Sequence, residues 1–271
     1  MRRNSRFILG CVLALAACSD DASITDPDPI VPPAALLKDV VVPTLPSPYY
    51  HFEYDAAYRV RRVSFASDAR VYDVRWTGNR IEKLVGTVGS RDTLLYNYDG
   101  AGHVGTVNQV DDNGQVVSIT SFTYDGAQLA RAERKVRIDG SLVLDRTLTF
   151  SYDTAGNVRD VVDQRPAIAD HQTASTTTDH FEQYDDRINV DGFSLLHPDF
   201  SDPLILLPGV TLQRGNPASE TFTGGEVQYT ASWTYTYDDR NRPLRKVGDL
   251  TWTSGPDTGQ HFQAQSSFSY Y

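Results

Sequence analysis

The sequence predicts an all-β fold: an antiparallel meander of about 14 to 15 strands, built from hairpin repeats and curled into a partly closed barrel or spiral. Three observations carry this. Stretches of strict apolar/polar alternation recur from about residue 50 to the C-terminus. Each ends in an aromatic, most often followed by Asp: Tyr54-Asp55, Tyr98-Asp99, Tyr124-Asp125, Tyr152-Asp153, Tyr184-Asp185 and Tyr237-Asp238, with Trp76-Thr77 and Tyr270-Tyr271 as degenerate members. No helix-period run of useful length interrupts them.

Residues 1–17 read as a secretory signal, with Arg2, Arg3 and Arg6 before the short apolar run Phe7 to Ala14. Leu15-Ala16-Ala17-Cys18 fits a lipobox, so cleavage is expected between Ala17 and Cys18, with diacylation of Cys18. Cys11 leaves with the signal, so no internal disulfide can form. Residues 18–48 form a Pro/Asp-rich tether holding seven of the chain's 14 prolines. At about 3.1 Å per residue it reaches up to roughly 90 Å from the lipid. Its apolar break at Leu36, Leu37 and Val40 to Val42 offers an alternative, docking on the domain.

Residues 49–271 contain no internal linker and read as one β domain with ample core. In one copy, Leu148, Phe150 and Tyr152 alternate with Thr147, Thr149 and Ser151, which puts the apolar set on one strand face. Asp153 then accepts backbone amides, and Gly156 or Asn157 takes positive φ, so the strand reverses. Return strands open at Val60, Ile81, Val104, Leu129, Val158, Ile188 and Leu244. Aromatic-to-aromatic intervals of 22, 22, 26, 28, 32, 53 and 33 residues describe a unit of two strands and two turns with insertions. Second turns are legible at Val88 to Asp92, Asp112-Asn113-Gly114, Asp139-Gly140-Ser141 and Gly255-Pro256-Asp257. The longest interval holds an apolar insertion at about residues 189–217, including Phe193, Leu195, Leu196, Phe200 and Leu204 to Leu207. A meander this wide must curl to bury one face, and the insertion is the candidate plug for any opening.

These Tyr-Asp-x-x-Gly-x-hydrophobic copies resemble the YD repeats of Rhs-type shell proteins. They are still more similar to a family of Bacteroidota lipoproteins of unknown function that carry degenerate YD repeats behind a lipoprotein signal. The resemblance covers most of the mature chain, including the insertion, and implies a lipid-anchored envelope protein. This sequence departs from the pattern at Trp76-Thr77 and in the Tyr54, Tyr184 and Tyr237 copies, which lack the Gly. It is also far too short to wrap a toxin as the Rhs shells do.

Ser19-Asp20-Asp21 after Cys18 resembles the acidic signal that sends such lipoproteins to the outer face of the outer membrane, so a cell-surface location is expected, with a periplasm-facing one as the alternative. Loss of the three signal arginines takes the formal charge from −10 to −13, which argues against nucleic acid as a partner.

No catalytic, cofactor or metal site is expected. The repeat aspartates lie about 10 Å apart along a sheet edge, too far for shared calcium ligation, and each has a turn to hold. Only His171 and His180, with Asp170, Asp179 and Glu182, fall close together, and their spacing matches no metal motif. No nucleophile elbow, phosphate loop or nucleophilic Cys occurs. Most of the 15 Tyr, 3 Trp and 11 Phe fall on the apolar strand face; Phe193, Phe200 and Trp252 are the candidate ligand contacts. The expected function is a non-enzymatic binding or structural module for a protein or glycan ligand. The alternatives are an envelope hydrolase acting on polysaccharide or peptide, and a transmembrane β-barrel.

Overall fold

The computed structural model describes residues 34–271. The signal, the Ala17/Cys18 cleavage and lipidation site and the first part of the tether lie outside the described residues. Sixteen strands form one closed barrel in which every strand pairs antiparallel with its sequence neighbours. The first four are β1 (Leu37–Val41), β2 (Tyr50–Tyr54), β3 (Val60–Phe65) and β4 (Arg70–Thr77). Next come β5 (Arg80–Val88), β6 (Thr93–Tyr98), β7 (Val104–Val110), β8 (Val116–Asp125), β9 (Gln128–Ile138) and β10 (Ser141–Tyr152). The rest are β11 (Val158–Arg165), β12 (Ser175–Tyr184), β13 (Pro217–Thr223), β14 (Gln228–Tyr237), β15 (Pro243–Ser254) and β16 (His261–Tyr270).

The strand beyond the expected number is β1, which lies in the stretch assigned to the tether. Val40 pairs with Phe268 of β16 on one side and Tyr50 of β2 on the other, so the apolar break closes the barrel instead of continuing the tether. Closure removes both sheet edges. The expected meander curled into a barrel is what the structure shows, with closure complete rather than partial.

The repeat has a specific hydrogen-bonding logic. Tyr54, Trp76, Tyr98, Tyr124 and Tyr152 donate from ring O–H or N–H to the carbonyls of Leu37, Val60, Ile81, Val104 and Leu129, at 2.8 to 3.1 Å. From Trp76 on, each acceptor opens the return strand of the preceding copy, so the aromatic reaches across a strand and fills the gap between columns. Every pairing of such an aromatic with its own return strand contains a register shift, as at Ser151/Tyr152 against Val158, and the extra residue of a bulge sharpens the local twist.

The aspartates hold turns, two and four residues on. Asp55 accepts from the amides of Ala57 and Arg59, Asp99 from Ala101 and His103, and Asp238 from Arg240 and Arg242. Asp153 accepts from Asn157, with Gly156 at φ 85°. Asp125 and Thr77 instead border two-residue reversals, Gly126-Ala127 and Gly78-Asn79. The Tyr184 copy departs most. Ile188 does not open its return strand; β13 begins at Pro217, after the insertion, and Asp185 takes the amides of Arg187 and Asn216.

Side-chain alternation gives the wall two characters. The inward set is apolar, with Phe52, Val63, Phe65, Tyr72, Leu84, Leu94, Val107, Leu148 and Phe150 buried. The outward set is polar and charged on every side: Glu53 with Arg61, Arg131 with Glu133, His180 with Glu182, Asp249 with Gln263, Asp39 with His51 of β2, and Asp39 with Ser269 across the closing β1–β16 seam.

Candidate functional site

The connection from β12 to β13 enters the barrel. At its two ends it is tied to the Asp-turn rim: at the first the Ile188 amide donates to Asn241 O, and at the second the Asn157 side chain accepts the amides of Arg214 and Gly215 while Leu212 O accepts the Val158 amide. Its middle, starting with a short 3₁₀ turn (Gly192–Leu196), reaches the opposite end, where His197 meets Tyr50 and Phe65 and where Ser201 O lies at Arg70. Leu204, Ile205 and Leu212 are buried against the wall. The apolar insertion is a plug that runs the length of the lumen.

Charge fixes the plug tip. Arg134 of β9 binds Asp145 and the plug's Asp202; Arg146 of β10 binds Asp163 at 2.7 Å and Asp202 at 2.8 Å; Arg165 of β11 binds Asp199 at 2.7 Å. His197 accepts the Tyr50 hydroxyl at Nδ1 and donates from Nε2 to Asp202 O, at 2.8 and 3.0 Å. Burial holds this imidazole below its ordinary pKa, which keeps it neutral and fits that bonding.

The plug fills the half of the lumen facing β2 to β10 and leaves space beside β10 to β13. A cavity of about 360 Å³ lies there between Leu148, Val161 and Phe222 of the wall and Leu195 and Pro198 of the plug, with Asp179 on its lining. Register places Val161, Asp179, Phe222, Tyr229 and Trp252 side by side on consecutive strands of the lumen face. Phe222 stacks on Tyr229 at 5.2 Å, Tyr229 meets Trp252 edge to face at 5.7 Å, and Trp252 stacks on Phe262 at 5.0 Å, so the wall carries an aromatic ladder toward the mouth.

Behind Phe222, Glu220 accepts the Tyr229 hydroxyl at 2.6 Å on one oxygen and the Trp233 indole N–H at 3.0 Å on the other. Trp233 lies over Gly248, where a Cβ would stand 2.3 Å from its ring, so only glycine fits. Asp179 is diagonal to Glu220 across the β12–β13 pair. Burial first, then the charges of Glu220 and Asp163, push the Asp179 carboxyl up to about 7, with Arg146 opposing. The site thus has one carboxyl that titrates near neutrality and faces open space. The neighbouring Glu220 is engaged at both oxygens.

The sequence-selected residues fall in different places. Trp252 is in the ladder. Phe193 is packed edge to face on Tyr50 and Phe52 as a plug anchor, while Phe200 is half-exposed at the plug tip against Phe65 and Arg70. The histidine cluster is not brought together: His180 and Glu182 face outward with Asp160, Asp179 faces the lumen, and His171 lies by Asp139. Arg134, Arg146, Asp163, Asp179 and Glu220 share strand parity with Ala132, Leu148, Val161, Phe181 and Phe222. Charged residues at apolar-parity positions were the signal that could have marked this half of the lumen.

A crystal structure of a porin-like protein from Bacteroides uniformis superposes on 82% of this chain and 89% of its own, with a TM-score of 0.57 at 13% identity. One of a porin-like protein from Bacteroides vulgatus covers 87% and 98%, with a TM-score of 0.56 at 14% identity. The chain shares the fold of these proteins. The Photorhabdus luminescens Tc holotoxin pore matches 79% of this chain over 14% of its own, at a TM-score of 0.30 and 15% identity. No family model and no curated relative matches.

Proposed function

We propose that the protein is a lipid-anchored β-barrel of the cell envelope, held at the outer membrane through Cys18 and facing the cell surface. It binds a protein or glycan ligand without transforming it. The observation that carries this reading is the outer wall: polar and charged side chains stand at outward positions around the whole circumference, from Asp39 and Glu53 through Arg131 and His180 to Asp249. A spanning barrel needs an apolar band about 25 Å tall on that face. The lipobox supports the anchor, and the engagement of the repeat aspartates in turns supports a structural role for the repeat.

The description of the neighbouring folds as porin-like favours a second reading, a barrel that spans the outer membrane. One variant separates the two. Under the first reading, full-length Cys18→Ala incorporates no labelled palmitate and fractionates as a folded, detergent-free soluble protein, while the wild type stays with the membrane. Retention of the variant in the membrane, released only by detergent, overturns the anchored reading in favour of the spanning one. Protease shaving of intact cells then tests the orientation: cleavage of the wild type, lost in Asp20→Ala with Asp21→Ala, supports surface display.

A further inference from the structure

We propose that the cavity between the plug and the β10–β13 wall is a ligand site for a primary ammonium group carried on a small body of monosaccharide size. This deepens the binding reading above by naming the ligand chemistry of one site. It rests on the barrel being a binding module and not on how the barrel is anchored.

Charge accounting on the cavity lining leads to this class. Arg146 is paired with Asp163 and Asp202, and Arg165 is paired with Asp199 at 2.7 Å and Asp163 at 3.3 Å, so each cation there is already committed to carboxylates. Asp179 is the exception. It lines the cavity, and no hydrogen bond or ion pair reaches its carboxylate among the described residues. The neighbouring carboxylate, Glu220, is met only by neutral donors, the Tyr229 hydroxyl and the Trp233 indole N–H, so its charge is spread but not cancelled. A half-buried carboxyl without a partner is costly in an apolar surround, and a cation entering the cavity offsets that cost.

The walls narrow the choice further. Leu148, Val161, Leu195 and Pro198 supply apolar surface, and Thr177 and Ser194 supply hydroxyls, a lining suited to an organic body rather than a bare metal ion. Calcium or magnesium would need several free oxygens, and the described residues contain no metal-holding group of acidic and histidine side chains. Phe222 stands between Asp179 and Tyr229 in the register, with one ring face stacked on Tyr229. The register sets Asp179 on the side of Phe222 away from Tyr229. An ammonium at Asp179 therefore also meets the electron-rich face of Phe222, a cation–π contact that an alcohol of the same shape does not gain.

Two pairs of probes test this with the full mature protein by titration calorimetry: phenethylammonium against 2-phenylethanol, and glucosamine against glucose. At least one ammonium compound is expected to bind about tenfold or more tightly than its neutral counterpart. Asp179→Asn, which keeps the shape and removes the charge, is expected to abolish that preference. Binding of phenethylammonium alone points to an amine on an apolar body, and of glucosamine alone to an amino sugar. If neither ammonium is preferred, or if the preference survives in Asp179→Asn, the proposal is overturned. Either result leaves the fractionation of Cys18→Ala, and the reading it tests, untouched.

Discussion

Asp179 concentrates the chemistry of this barrel at one residue. Its carboxyl ionises near neutrality in the folded chain and near the ordinary Asp value when unfolded, so between about pH 4 and pH 7 the folded state retains a proton that the unfolded state has released. Stability therefore falls as pH rises through that window, and the full penalty applies above it. Asp179→Asn is expected to stabilise the fold at pH 8, by an amount on the order of 2 kcal/mol for a half-buried group and seen as a higher melting temperature, and to leave stability nearly unchanged at pH 4. Thermal melts at the two pH values check this, and an equal shift at both would mean that ionisation is not the cause. Asp55 in its turn and the outward-facing Asp160 of β11 have the opposite sign. Desolvation raises both pKa values, but hydrogen bonds outweigh it, from Arg59 and backbone amides at Asp55 and from the His180, Ser151 and Arg159 side chains at Asp160, and hold both carboxyls low, Asp160 at about 2. Their contribution is present above the ordinary Asp value and is lost on acidification.

The plug is the element whose state decides whether the lumen is open. Its tip is held by Asp202 between two arginines and by a neutral His197 wedged between Tyr50 and Phe65. Because burial lowers the His197 pKa, the unfolded form binds a proton below about pH 6.5 before the folded form does, so the stabilisation is fully present above that value and declines as pH falls. Hydrogen exchange across residues 197–207, corrected for intrinsic rates, is expected to be faster at pH 5 than at pH 7.5. In His197→Phe, which keeps the ring against Phe65, that difference should vanish. Its persistence there would assign the response to the aspartate–arginine cluster. The Asp202 interactions themselves are buried, and loss of one partner from such a pair typically costs about 3–5 kcal/mol.

At the scale of the whole molecule, closure depends on the five residues of β1. Leu37 accepts the Tyr54 hydroxyl, and Val40 is buried between β16 and β2, so removal of residues 34–41 reopens two edges. Exposed edges pair with other chains. The deletion is expected to lower the melting temperature by 10 °C or more on the order-of-magnitude scale of a lost strand, and to convert a monodisperse elution profile to oligomers. An unchanged monomer with an unchanged melt would mean that β1 is dispensable and that the sheet holds its curl without it.

The sequence alone determined the meander, its hairpin unit and its two turn families. Alternation and Asp/Gly turn chemistry are local properties, and the copies from Tyr54 to Tyr270 repeat them often enough to be counted. It also picked out the apolar insertion, since Phe193 to Leu207 has no place on an alternating strand. What it could not determine was the barrel's completion by Leu37–Val41, because five residues in a proline-rich stretch acquire strand character only from two distant partners, β2 and β16. Nor could it assign the cavity. Asp163, Asp179 and Glu220 come from three strands, and the unpaired state of Asp179 exists only once Arg146 and Arg165 have been claimed by Asp163, Asp199 and Asp202. That is a property of tertiary charge pairing, to which the local pattern of any single strand is blind.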